Sequence, residues 1–146
     1  MKTESWLGVD YGSKRIGLAH ADELRVAVPM EAASQNTLEE RLAQIKEVIH
    51  RKKVRIIVLG YPLRGDGSVG QMAREVEAFR KLLLDRFQLP VELVDEHSTS
   101  SEAGQHWSLR KSRKRRQTGQ LDSAAATLIL RDYLDHQSDP VDTPHP

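Results

Sequence analysis

"WLGVDYGSKRIGLAHAD", residues 6–22, decides how this chain folds. Its first residues are apolar up to Asp10, as in a central strand covered on both faces. After a turn loosened by Gly12, "RIGLAHA" alternates, with Ile16 and Leu18 on one face and Arg15, Gly17 and Ala19 on the other. "LRVAVPM", residues 24–30, alternates as well and aligns Leu24, Val26, Val28 and Met30. Pro29 has no amide to donate, which puts this third strand at a sheet edge. Short connections make the three an antiparallel meander. An acid is left at the tip of the central strand, and its purpose depends on whether other acids arrive at the same place.

Beyond the meander the period changes. Residues 36–52 place Leu38, Leu42, Ile45 and Ile49 on one helical stripe, with Asn36 and Glu39 spaced as a capping box. "VRIIVLG", residues 54–60, is a buried strand, and a glycine-bearing loop over 60–70 leads into a helix to 87 with Met72, Val76, Phe79 and Leu83 inward. Pro90 breaks the chain before a fifth strand, "VELVDE", which again ends in acid. "STSSEAGQHW" reads as a capped short helix, 109–120 as a basic loop, and 122–137 as a final helix with a small-residue face. Right-handed crossovers make strands four and five parallel to strand one. The expected architecture is α/β: a mixed five-stranded sheet in order 3-2-1-4-5 with helices on both faces. One domain is expected over 1–136, followed by a proline-rich, disordered tail over 137–146.

The bulk properties narrow the function. A chain of 146 residues, 38% hydrophobic and 29% charged, suits one soluble domain, and a net charge of +1 excludes a uniformly basic polyanion binder. The absence of cysteine excludes disulfides, thiolate catalysis and sulfur-ligated zinc. No apolar run approaches the roughly 20 residues of a membrane span. The first residues are too short an apolar stretch for a signal peptide, so a cytoplasmic location without membrane contact is expected.

Parallel strands one and five end on the same sheet edge, where open α/β sheets bind ligands. Asp10 ends the first, Asp95 and Glu96 end the other, and Asp122 begins the last helix. Ala124, Ala125 and Ala126 let that helix approach the sheet closely. Taken singly, Asp122 can be a helix cap and Asp10 a turn residue. Strand alternation allows only one of Asp95 and Glu96 to point into a shared site, and it does not choose between them. Three converging carboxylates repel unless protons or cations neutralise them. An all-oxygen set suits Mg²⁺ or Mn²⁺. Two such ions about 4 Å apart can activate water and stabilise the leaving oxygen of a phosphodiester.

"GVDYGSKRIGLA", "VLGYPLRGDGSVG", "VDEHSTSSEA" and "LDSAAATLILRDYL", in this order and spacing, resemble the YqgF-type family of pre-16S rRNA nucleases and Holliday-junction-resolvase-like proteins, which have an RNase H-like fold. The resemblance spans about residues 6–135. It implies that the catalytic and metal-binding acids are Asp10, Glu96 and Asp122, favouring Glu96 over Asp95. This chain departs from the family in having His97 and Ser98 where Arg and an aliphatic residue usually follow the acid pair. A phosphate contact by His97 would need a protonated ring or a neutral hydrogen bond.

Supporting groups for a polyanion lie between these segments. Arg110, Lys111, Arg113, Lys114, Arg115 and Arg116 put six positive charges in seven residues just before Asp122. The run has no aromatic residue, which favours backbone or shape recognition over base stacking. Arg64 is the candidate phosphate contact in the 60–70 loop, which lacks the Lys-Ser/Thr ending of a nucleotide-hydrolysing loop. Lys14 and Arg15 lie beside Asp10. The resulting expectation is a Mg²⁺- or Mn²⁺-dependent endonuclease, monomeric or homodimeric, for structured RNA, with precursor 16S rRNA or a ribosomal particle as the family-implied substrate and its 5′ end as the processing site. A resolvase of branched DNA is the nearest alternative. A non-catalytic RNA-binding or ribosome-associated factor is the alternative of a different class.

Overall fold

The computed structural model describes residues 4–61, 70–95 and 123–137. Within them, β1 (Trp6–Asp10), β2 (Ile16–Ala21), β3 (Val28–Ala33), α1 (Leu38–Lys52), β4 (Ile56–Tyr61), α2 (Gln71–Phe87), β5 (Val91–Asp95) and α3 (Ala124–Gln137) follow in that order. The strands form one sheet in the order β3-β2-β1-β4-β5. β1 pairs antiparallel with β2 and parallel with β4, and β4 pairs parallel with β5. The expected α/β sheet is therefore present. The expected short helix after β5 lies outside the described residues, as does the tail expected over 137–146 except for Gln137, which ends α3.

Strand parity divides the core. Leu7 and Val9 of β1, Ile16 and Leu18 of β2, and Ile57 and Leu59 of β4 pack under Leu42, Ile45 and Val48 of α1 and Val76, Phe79 and Leu83 of α2. Residues of the opposite parity, Trp6, Ala19, Ala21, Val58 and Val94, pack against Ala126, Ile129, Leu130 and Leu134 of α3. Each fully buried Leu or Ile contributes on the order of 1.5–3 kcal/mol, so both faces are held firmly. β1 is covered on both sides, which explains its unbroken apolar run.

Three local expectations are corrected. β3 starts at Val28 rather than Leu24, and Leu24, Val26 and Val28 are exposed. A turn consumes the preceding residues: the Arg25 amide donates to the Asp22 carbonyl at 2.8 Å, the Leu24 amide to Asp22 Oδ1 at 2.9 Å, and Arg25 takes a left-handed φ of 62°. The alternation there continues past the last partner strand. Pro29 does sit on an edge strand, opposite Ala19. The cap of α1 is shifted by one residue: Thr37 Oγ1 accepts from the Glu40 amide at 3.1 Å while Glu40 Oε1 accepts from the Thr37 amide at 3.2 Å. In α2, Ala73 is buried and Met72 is exposed.

The end of the sheet at the N-termini of β1 and β4 carries a separate polar clasp. Ser5 Oγ donates to the Lys52 carbonyl at 3.0 Å, so it accepts from His20 Nε2 at 2.9 Å, which assigns the proton of the neutral ring to Nε2. Burial, aided by Lys52 and Arg51 and opposed by Asp22, holds the His20 pKa below its ordinary value of 6.5.

Candidate active site

Asp10 is half-buried at the C-terminal tip of the central strand, paired in register with Gly17 of β2. Its parity is that of Trp6 and Gly8, which places it on the α3 face of the sheet. The next residue confirms the alternation, because the Tyr11 ring packs on Phe79 of α2 with centroids 4.7 Å apart, on the opposite face. The turn that follows is tight. A Cβ on Gly12 would lie 2.5 Å from the Arg15 carbonyl oxygen, so glycine is required for the chain to fold back here. Lys14 and Arg15 stand exposed on this turn, four and five residues after Asp10.

Asp95 ends β5 in register with Tyr61 of β4. Tyr61 packs against the α1–α2 core and Val94 against α3, so Asp95 lies on the face away from Asp10. Among the described residues, no three potential ligands gather as a metal cluster. Glu96, Asp122, Arg64, His97, Arg110, Lys111, Arg113, Lys114, Arg115 and Arg116 lie outside the described residues.

Two features that the residue pattern did not single out bring α3 to this edge. Gly8 leaves room for the helix: a Cβ there would meet the Ala126 carbonyl oxygen and Leu130 Cβ, each at 2.8 Å. A glycine inside an apolar strand was the available signal, since it often marks a close backbone approach. The second is Ser123, which is fully buried. Its Oγ accepts from the Leu18 amide at 3.1 Å and donates to the Met30 carbonyl at 2.5 Å. Leu18 and Met30 are register partners, next to an irregularity in the β2–β3 ladder between Ile16 and Leu18. The hydroxyl thus bridges two strands from the start of a helix. Its only sequence signal was a polar residue at the head of a small-residue face.

A family model described as "RuvX: Holliday junction resolvase" matches residues 4–136. The chain belongs to the RuvX family. This RuvX chain is 42% identical over 141 residues to "Putative pre-16S rRNA nuclease" of Opitutus terrae, covering 96% of this chain and 97% of the relative. It is 38% identical over 136 residues to the protein of the same name from Picosynechococcus sp., covering 92% and 94% of the two chains. Among solved structures it is similar to Thermus thermophilus RuvC in complex with a Holliday junction substrate, with a TM-score of 0.56 at 15% identity over 93% of this chain and 97% of that one. At that identity the likeness is one of fold, and it agrees with the RNase H-like sheet expected from the sequence. No described helix of this RuvX protein is long and apolar enough to cross a membrane.

Proposed function

We propose that this RuvX protein is a divalent-metal-dependent endonuclease that hydrolyses phosphodiester bonds in structured RNA, processing the 5′ end of precursor 16S rRNA. The observation that carries this reading is Asp10, held at the tip of the central strand on the face where α3 begins. Glu96 and Asp122 are its proposed partners. Alternation supports the first: Asp95 is on the far face, which leaves Glu96 as the better candidate of the two neighbouring acids. Spacing supports the second. From the Gly8–Ala126 contact, two residues along β1 to Asp10 advance about 6.7 Å, and two residues back along α3 to its start at Ala124 retreat about 3 Å. The helix runs opposite to β1: Ser123 bonds to Leu18, the partner of Val9, while Leu130, farther along the helix, meets Gly8. Asp122, the acid just before the start of α3, is for this reason taken as the second partner.

Three carboxylates without sulfur or imidazole fit a hard cation such as Mg²⁺ or Mn²⁺. When bound, such ions supply Lewis acidity and a water of lowered pKa. The chain's own residues do the rest. Asp10, Glu96 and Asp122 hold the cations, while Lys14, Arg15 and Arg64 hold phosphates that flank the scissile one. His97 and the basic run from Arg110 to Arg116 gather the polyanion against this edge. Water adds to phosphorus, the bond to the 3′ oxygen breaks, and the products are a 5′-phosphate and a 3′-hydroxyl.

The RuvX family description and the junction-bound structural relative favour a second reading, a resolvase of branched DNA. It requires two coordinated sites and hence a dimer. Incubating the purified protein with precursor rRNA and with four-way DNA junctions, with and without Mn²⁺, separates the two. Metal-dependent cutting of the RNA, lost in Asp10→Asn with binding retained, is the expected result. Cutting of junctions alone supports the resolvase, and undiminished cutting by Asp10→Asn overturns the site.

A further inference from the structure

We infer that Ser123 is a positioning residue for the acid cluster, locking the head of α3 to the sheet at the level of Asp10. The inference rests on the nuclease reading, because it concerns how the neighbouring Asp122 is held. Leu18, whose amide donates to Ser123 Oγ, is the cross-strand partner of Val9, the residue before Asp10. The same hydroxyl donates to Met30 on the edge strand, so one side chain ties α3 to two strands. Its own carbonyl accepts from Thr127 Oγ1 at 2.7 Å, which fixes the first turn of the helix as well. Ser123 is fully buried, leaving water no easy route to replace either bond.

A hydroxyl with one donor and an acceptor lone pair satisfies both strands at once. Alanine would satisfy neither. The Leu18 amide and Met30 carbonyl could then close on each other as an ordinary ladder bond, and the sheet would survive while the helix head lost its anchor. That separation makes the role testable. A merely structural serine would change stability, whereas a positioning serine changes cation affinity beyond any change in stability.

The test compares full-length wild type, Ser123→Ala, Ser123→Cys and Val48→Ala, a cavity variant on the opposite α1 face. Mn²⁺ affinity is read by titration calorimetry, melting temperature by circular dichroism, and kcat and KM on a cleaved RNA. Ser123→Ala is expected to weaken Mn²⁺ binding at least tenfold and to lower kcat with KM for RNA nearly unchanged. Val48→Ala, at a similar loss of melting temperature, should keep wild-type affinity. Should Ser123→Ala fail to fold, Ser123→Cys, with a weaker donor in nearly the same volume, decides: reduced Mn²⁺ affinity supports the role. Wild-type affinity in a folded Ser123→Ala, or in Ser123→Cys if the alanine variant does not fold, overturns it. Absence of both Mn²⁺ binding and cleavage in the wild type overturns the nuclease reading itself, and this inference with it.

Discussion

Gly8 faces the Ala126 carbonyl so closely that a methyl group on its α-carbon would lie 2.8 Å from that oxygen. The obstacle is helix backbone, with Leu130 Cβ at the same distance, so no flexible side chain can yield. α3 therefore touches β1 main chain to main chain, two residues below Asp10. Gly8→Ala should push the helix outward and cost about 1–3 kcal/mol, as overpacking of a tight core does. Urea unfolding monitored by circular dichroism measures the loss. A stability equal to wild type would show that the contact is not tight.

Strand phase puts Asp95, the last residue of β5, on the face away from Asp10. Asp95 shares the side of Tyr61, away from Asp10, whereas Val94 shares the side of α3. Asp95→Asn should keep RNA cleavage within a few-fold of wild type. Glu96→Gln should lower it by more than about a hundredfold, since even residues behind metal ligands cost roughly 10–100-fold when changed. Initial-rate assays at saturating Mn²⁺ compare them, and equal losses would refute the assignment by face.

His20 makes stability depend on pH. Its folded pKa lies below 6.5, chiefly through burial, so the unfolded chain takes up a proton first as pH falls. The stability it contributes is complete above 6.5 and is lost as pH drops from there through its lower folded value. His20→Gln should flatten this part of the profile. Melting temperatures between pH 7.5 and 5 for both proteins check the sign, and a wild type that gains stability on acidification through this range would contradict it.

The basic run should act on binding rather than on chemistry. Replacing Arg110, Lys111, Arg113, Lys114, Arg115 and Arg116 by Gln is expected to weaken RNA affinity and flatten its salt dependence. Each phosphate that the variant no longer neutralises lowers the slope of log affinity against log salt by about 0.7–0.9. Filter binding at several salt concentrations reads the slope, while kcat at saturating RNA stays near wild type. An unchanged slope assigns the run to solvent.

Much of this architecture was legible in the residues. "WLGVD" and "VRIIVLG" announced buried parallel strands, Pro29 announced an edge, and the right-handed crossover rule then left one strand order, which the sheet adopts. Local capping was less legible, because Asn36–Glu39 and Thr37–Glu40 carry the same spacing and only backbone geometry selects the second pair. Leu24 and Val26 misled for a related reason: alternation records a pleat, and nothing in it says where the partner strand stops.

By itself the sequence determined the strand order and an acid at the tip of the central strand. Only the tertiary structure decided which face Asp10 and Asp95 each take. Alternation has a period of two but no absolute phase until a helix covers one side. The tie between Leu18 and Ser123 was equally beyond local reading. It joins residues 105 positions apart through a hydroxyl that acquires its partners only when α3 lies against the sheet.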